Sequence, residues 1–200
     1  YWPEIKCLCL CLFLFGDIVS ALEEPEYQII KNTPDFEIRY YNEYLVAEVT
    51  LTGDFTSSGN QAFKVLAGYI FGANQASTKM KMTAPVESQA ISVSEEMKMT
   101  APVMSVDNNS NEHVYRFVME KKYTLDTLPT PNDKRIRLIK VTPRFMAVKK
   151  FSGRWSEKNY QKSEKLLLKS LNLEKIETIG LPIFARYNAP FVPWFLRRNE

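Results

Sequence analysis

Set against itself at a displacement of 100 residues, this chain of 200 repeats the order of its own features. Ala47 falls on Ala147, Gly53 on Gly153 and Phe55 on Trp155, with no gap needed. Phe36, Ile38 and Tyr40 alternate with polar residues, and Leu45, Ala47, Val49 and Leu51 do so again, which reads as two half-buried strands over 36–41 and 45–51. Gly53-Asp54 turns the chain, Thr56 to Ser58 offer N-caps, and Ala62, Phe63, Leu66, Ala67 and Ile70 recur at helical spacing up to a stop at Gly72. The second half has strands over 136–141 and 145–151, a turn at Gly153, and a Ser156-capped helix carrying Tyr160, Leu167 and Leu171; residues 176–179 and 184–187 complete it. A strand-strand-helix unit leaves one sheet face bare, and a copy of itself covers that face most economically. The expectation is one α+β domain over 22–200, with an internal repeat at about 36–120 and 136–200. Its duplicated pseudo-twofold units form a distorted antiparallel β-barrel flanked by two helices.

A second, shorter repeat lies inside the first half. Met80-Lys81-Met82-Thr83-Ala84-Pro85-Val86 recurs unchanged as Met97-Lys98-Met99-Thr100-Ala101-Pro102-Val103. Each copy alternates apolar with polar and then meets proline, so each reads as a short strand stopped by that proline, with a hairpin-like return around Ile91-Ser92-Val93. Met80, Met82, Met97 and Met99 then have two readings: adaptable core fillers, or four thioethers for a flat apolar ligand or a soft ion such as Cu(I).

The N-terminus has the layout of a signal peptide over 1–21. Lys6 precedes a nine-residue apolar run, 7–15, and Val19 and Ala21 are small enough for a cleavage position. That run is far short of the roughly 20 residues a membrane helix needs. The expectation is export to a periplasm or the exterior, with no stable membrane span after cleavage. Cys7, Cys9 and Cys11 all lie in this segment, so a mature chain has no disulfide, thiolate ligand or cysteine nucleophile.

The formal charge of +3 is spread among both signs and forms no basic stripe, which argues against nucleic-acid binding. With one histidine, no Gly-rich phosphate loop and no nucleophile elbow, the common hydrolase and nucleotide-binding constellations are absent, so the chain does not read as an enzyme. A proline-set connection over 128–133 separates the halves, and the end of the chain brackets aromatic residues with Pro190 and Pro193, which favours an extended segment across an apolar surface. Arg197, Arg198 and Glu200 read either as a ligand clamp or as a structural ion pair closing the barrel.

The doubled Met-Thr-Ala-Pro-Val, the turn Phe151-Ser152-Gly153-Arg154-Trp155-Ser156, and the run from Ala185-Arg186-Tyr187-Asn188 to Arg197-Arg198-Asn199-Glu200 resemble the SOUL family of haem-binding proteins over roughly 25–200. The resemblance implies a duplicated twisted barrel with two helices, a fold shared with bacterial drug-sensing effector domains. It also implies a further apolar strand after the Arg-Arg-Asn-Glu ending. The function it implies is non-covalent binding of haem or another porphyrin by an apolar patch on the first helix and the C-terminal loop. Carried over by position, the patch is Asn60, Phe63, Lys64, Ala67, Gly68, Phe71 and Val192. Basic residues proposed elsewhere in the family to hold the propionates fall on Asn60, Gly68 and Val192, leaving Lys64 as the nearby cation. Candidate iron ligands are His113, at the end of a polar loop, Tyr69 and the methionines, though no spacing demands ligation. The leading expectation is therefore a tetrapyrrole carrier or buffer. An effector-type module for another small apolar ligand, Cu(I) binding by methionine and haem turnover stand as alternatives, and oligomeric state is left open.

Overall fold

The computed structural model describes residues 22–91 and 112–200. The signal-peptide expectation and the second Met-Thr-Ala-Pro copy, with Met97 and Met99, fall outside the described residues.

The order is β1 (Tyr27–Asn32), β2 (Glu37–Tyr41), β3 (Tyr44–Thr52), α1 (Phe55–Ile70), β4 (Val86–Ala90), β5 (Glu112–Val118), β6 (Arg137–Val141), β7 (Arg144–Val148), α2 (Glu157–Leu173) and β8 (Phe184–Arg186), then a 3-10 turn, Trp194–Leu196. The 100-residue displacement governs the pairing itself. β2 runs antiparallel to β7 with Glu37 opposite Val148, and β3 runs antiparallel to β6 with Glu48 opposite Arg137. Each unit thus lends one strand to the other, in the same register both times. Gly53 and Gly153 both sit at positive φ, +142° and +126°, where a side chain is strained.

These pairings give a three-stranded sheet, β1-β2-β7, and a five-stranded one, β6-β3-β5-β4-β8. The two are not closed into a barrel. Isolated bridges from Asn199 to Phe151 and to Arg186 join the end of β7 to β8.

The main core lies between α1 and the five-stranded sheet. Ala47, Val49 and Leu51 of β3 and Tyr115 and Phe117 of β5 meet Ala62, Leu66, Ala67 and Ile70. That is the period-2 face of two strands against the period-3.6 face of a helix. The helix begins at Phe55 because Asp54, rather than Thr56 to Ser58, is its cap: the Asp54 carboxylate accepts from the backbone N–H of Thr56 and of Ser57, at 3.0 Å each.

Several expectations are corrected. Residues 80–85 are not a strand; they cross the core edge in irregular conformation, and β4 starts after Pro85 rather than ending before it. The reason is that Met80 and Met82 pack into the α1 core while the backbone N–H of Lys81 is taken by Glu120 at 2.8 Å, so no ladder forms. The strand expected to reach Phe151 ends at Val148. Residues 176–179 are irregular, with Ile179 fully exposed. β1 had no pattern to betray it: five of its six residues are exposed, and it is an edge held by backbone pairing to β2 with an irregularity between Ile29 and Lys31.

Candidate functional site

The residues expected on α1 do share one flank. Asn60, Phe63, Lys64, Ala67, Gly68 and Phe71 are spaced by three and four, so they stack into a stripe along the helix. Phe63 is 41% exposed with its ring edge-on to Phe117 at 5.5 Å, and Phe71, at the C-cap, is 60% exposed. Between them Gly68 leaves a low saddle, where the nearest atom to an added Cβ would be the Ala73 methyl at 3.9 Å; Ala67 is buried in the core instead. At a rise of 1.5 Å per residue the two phenylalanines are about 12 Å apart along the axis. Asn60 and Lys64 are exposed on the same flank.

Val192 is not brought to that flank by any contact among the described residues. Its N–H bonds to Ala189 O at 3.1 Å, and its carbonyl accepts from Arg197 Nε at 2.8 Å. The C-terminal segment is closed on itself rather than laid over an apolar surface, because Arg197 also reaches Pro190 O at 2.6 Å and places its guanidinium 4.2 Å from the Trp155 ring centre. As a result Phe191, Trp194, Phe195 and Leu196 point outward, Phe191 being 88% exposed. The proline-bracketed aromatics were visible in the sequence; their exposure follows from Arg197.

Arg198 and Glu200 take a structural role. Arg39, fully buried, donates to both Glu200 oxygens at 2.8 and 3.0 Å, and Tyr187 and Arg198 donate to the same carboxylate at 2.7 and 3.0 Å. Burial pushes Glu200 up, but the hydrogen bonds and charges of Arg39, Tyr187 and Arg198 outweigh it and hold the carboxyl below its usual range.

None of the described candidate iron ligands presents itself to the stripe. Tyr69 is fully buried, donates its hydroxyl to Pro129 O at 2.7 Å, and is pushed up to about 12 by burial. Met80 is buried, and Met82 packs against the same core. His113 is not in a loop: it is the second residue of β5, opposite Leu51 and Ala90, with its ring 6.5 Å from Phe55 and 6.2 Å from Tyr115. The surface that remains fits a flat apolar ring held by contact and by Lys64, and does not fit a ligated iron. A cavity of about 170 Å³ lined by Glu23, Tyr44, Met119 and Tyr123 is too small to enclose such a ring, which needs a pocket of roughly 300 Å³ or more.

Comparison with solved structures shows the same fold at low identity. The crystal structure of the EcmrR C-terminal domain superposes with a TM-score of 0.58 at 11% identity, over 86% of this chain and 93% of that one. An uncharacterized conserved protein from Listeria innocua gives 0.56 at 10% identity over 82% and 89%. A structure described as a hydrolase from Listeria innocua gives 0.53 at 10% identity over 85% and 91%. No curated protein matches by sequence. Residues 22–200, however, match the family described as SOUL heme-binding protein. This chain belongs to the SOUL heme-binding protein family, a family of binding proteins, and that membership supports a haem- or tetrapyrrole-binding role.

Proposed function

We propose that this protein is an exported carrier or buffer that holds a tetrapyrrole non-covalently on the outer flank of α1. The observation that carries this reading is the Phe63–Phe71 stripe: two exposed phenyl groups flanking a Gly68 saddle, on a helix whose other side is locked into the core. Exposed aromatics on a soluble surface are costly unless they meet a partner, and a flat ring of matching span is such a partner. A bound tetrapyrrole supplies the redox and optical chemistry; the chain supplies apolar contact and one ammonium, Lys64, for a carboxylate. Without a presented ligand atom on the stripe, the iron is not required for binding. The exposed Phe191 and Trp194 of the C-terminal loop are a second apolar surface.

The test is a titration of the protein with haemin and, in parallel, with iron-free protoporphyrin. Saturable binding of both with similar affinity, weakened at least tenfold in Phe63→Asp or Phe71→Asp, is the expected result. Binding of haemin alone would overturn the ligation-free reading, and saturable binding of neither would overturn the function.

A further inference from the structure

The helix-facing side of the five-stranded sheet carries a charged group with no counterpart. β8 sets Phe184 opposite Ser88 and Arg186 opposite Val86, while β5 sets Tyr115 opposite the same Ser88. Tyr115, Ser88 and Phe184 form a cross-strand row, with Arg186 diagonal to it. The first turns of both helices meet over this row. Phe55, the first residue of α1, stacks 6.2 Å from Tyr160 of α2 and 6.1 Å from Phe184. Tyr115 Oη lies 2.7 Å from Ser58 Oγ. Trp155, just before the Ser156 cap of α2, stands 5.6 Å from the Arg186 guanidinium carbon, and the Phe184 ring 5.7 Å from it.

Arg39 is matched with Glu37 and Glu200 and Arg116 with Glu48; Arg144 also has a buried Nε without a partner, but its Nη2 donates to Tyr44 Oη at 3.2 Å. The Arg186 side chain makes no hydrogen bond or ion pair among the described residues, and its Nε is buried without an acceptor. Asp54, the acid at this corner, is engaged by the Thr56 and Ser57 N–H groups and the Ser57 hydroxyl. Burial lowers the guanidinium's affinity for its proton, opposed only by Tyr115. The aromatic walls offer the buried Nε no acceptor, and an anion at this corner would supply one. Two converging helix N-termini add positive potential at the same place. Gly59 of α1 faces the notch, where a Cβ placed on it would lie 3.6 Å from the Tyr115 ring.

We propose that Arg186 is the seat of a ligand carboxylate, and that Trp155 and Phe184 wall the group bearing it. Resting on the tetrapyrrole reading, the carboxylate is a side-chain acid of the bound ring, which supplies the cationic partner missing at Asn60, Gly68 and Val192. The notch itself does not depend on that identity; any planar aromatic acid has the chemistry it recognises. A guanidinium–carboxylate bond in such a site discriminates acid from ester by about tenfold or more.

The experiment measures protoporphyrin and its dimethyl ester against the wild-type chain, Arg186→Met and Arg186→Lys, with thermal melts in benzoate and in inorganic phosphate alongside. Wild type is expected to prefer the acid at least tenfold. Arg186→Met should bind acid and ester alike, at the ester's level, and Arg186→Lys should keep part of the preference, since an ammonium retains charge without the planar fork. Benzoate should raise the melting temperature of wild type and not that of Arg186→Met. An acid preference surviving in Arg186→Met overturns the proposal, as does an Arg186-dependent shift with phosphate but none with benzoate. If neither porphyrin binds wild type, the tetrapyrrole reading falls alone: an Arg186-dependent benzoate shift then upholds the notch, and its absence sinks the notch too. Should Arg186→Met fail to fold, Arg186→Lys decides by the same comparison.

Discussion

Arg39 and Glu200 lie at opposite ends of the chain, and each is nearly inaccessible to water. Neither is stable in that position alone, because an unpaired buried charge is far more costly than the pair. Arg39→Met is therefore expected to lose about 3–5 kcal/mol of stability in urea unfolding, since it removes the bidentate partner of a buried carboxylate and leaves it only Arg198 and Tyr187. The same carboxylate sets an acid limb. Its folded-state pKa is held below the unfolded value of about 4.3, so its contribution is whole above that pH and lost as pH falls through the folded value. Glu87 has the opposite sign. Burial raises it, against the nearby Arg116 and Arg144 charges and the bond from Tyr44 Oη at 3.0 Å, and its Oε2 accepts no hydrogen bond, with Arg116 Nη1 4.0 Å away. Between about pH 4.3 and its raised folded value the unfolded chain releases this proton while the folded one keeps it, so stability falls as pH rises there. Glu87→Gln is expected to melt higher than wild type at pH 7 and at the same temperature at pH 4; a variant less stable at both would show that the charge itself is needed. Met80, read as either filler or thioether ligand, packs as filler, and Met80→Ala should cost about 2–5 kcal/mol by calorimetry through the cavity it leaves.

At the level of elements, legibility followed burial. Both helices were readable because each shows one apolar stripe bounded by a polar cap and a glycine turn, and β3 was readable because Leu45, Ala47, Val49 and Leu51 alternate on one face, though Val46 and Glu48 on the other are buried too. β1 was not, because an exposed edge strand needs only backbone partners and these leave no period in the side chains. The cap of α1 was misplaced by two residues for a local reason: Asp54, serine and threonine compete for the same N–H groups, and the carboxylate, being charged, wins. Asp54→Ala is expected to cost about 1 kcal/mol in chemical denaturation, with no change in fold by circular dichroism. The α1 stripe was legible as spacing alone, whereas Arg186 carried no signal at all. An arginine one residue before a tyrosine at a strand end looks like any solvated charge, and only the packing of two helix starts above β8 buries it.

For the whole molecule, the displacement of 100 residues in the sequence became a rule of assembly. Because each unit's strands pair with the other unit's, neither half has a complete sheet of its own, and the halves are expected to unfold together in a single transition by circular dichroism and tryptophan fluorescence. Two separated transitions would contradict that. The periodicities and the repeat were enough to specify an α+β chain of two strand-strand-helix units, since local burial patterns and turn residues depend only on neighbours along the chain. Whether the sheet closes, which way the C-terminal aromatics face and which charges meet were decided by tertiary structure. Those outcomes join residues far apart in sequence, Arg39 with Glu200, Arg197 with Trp155, Phe55 with Tyr160, and such contacts leave no trace in any local window.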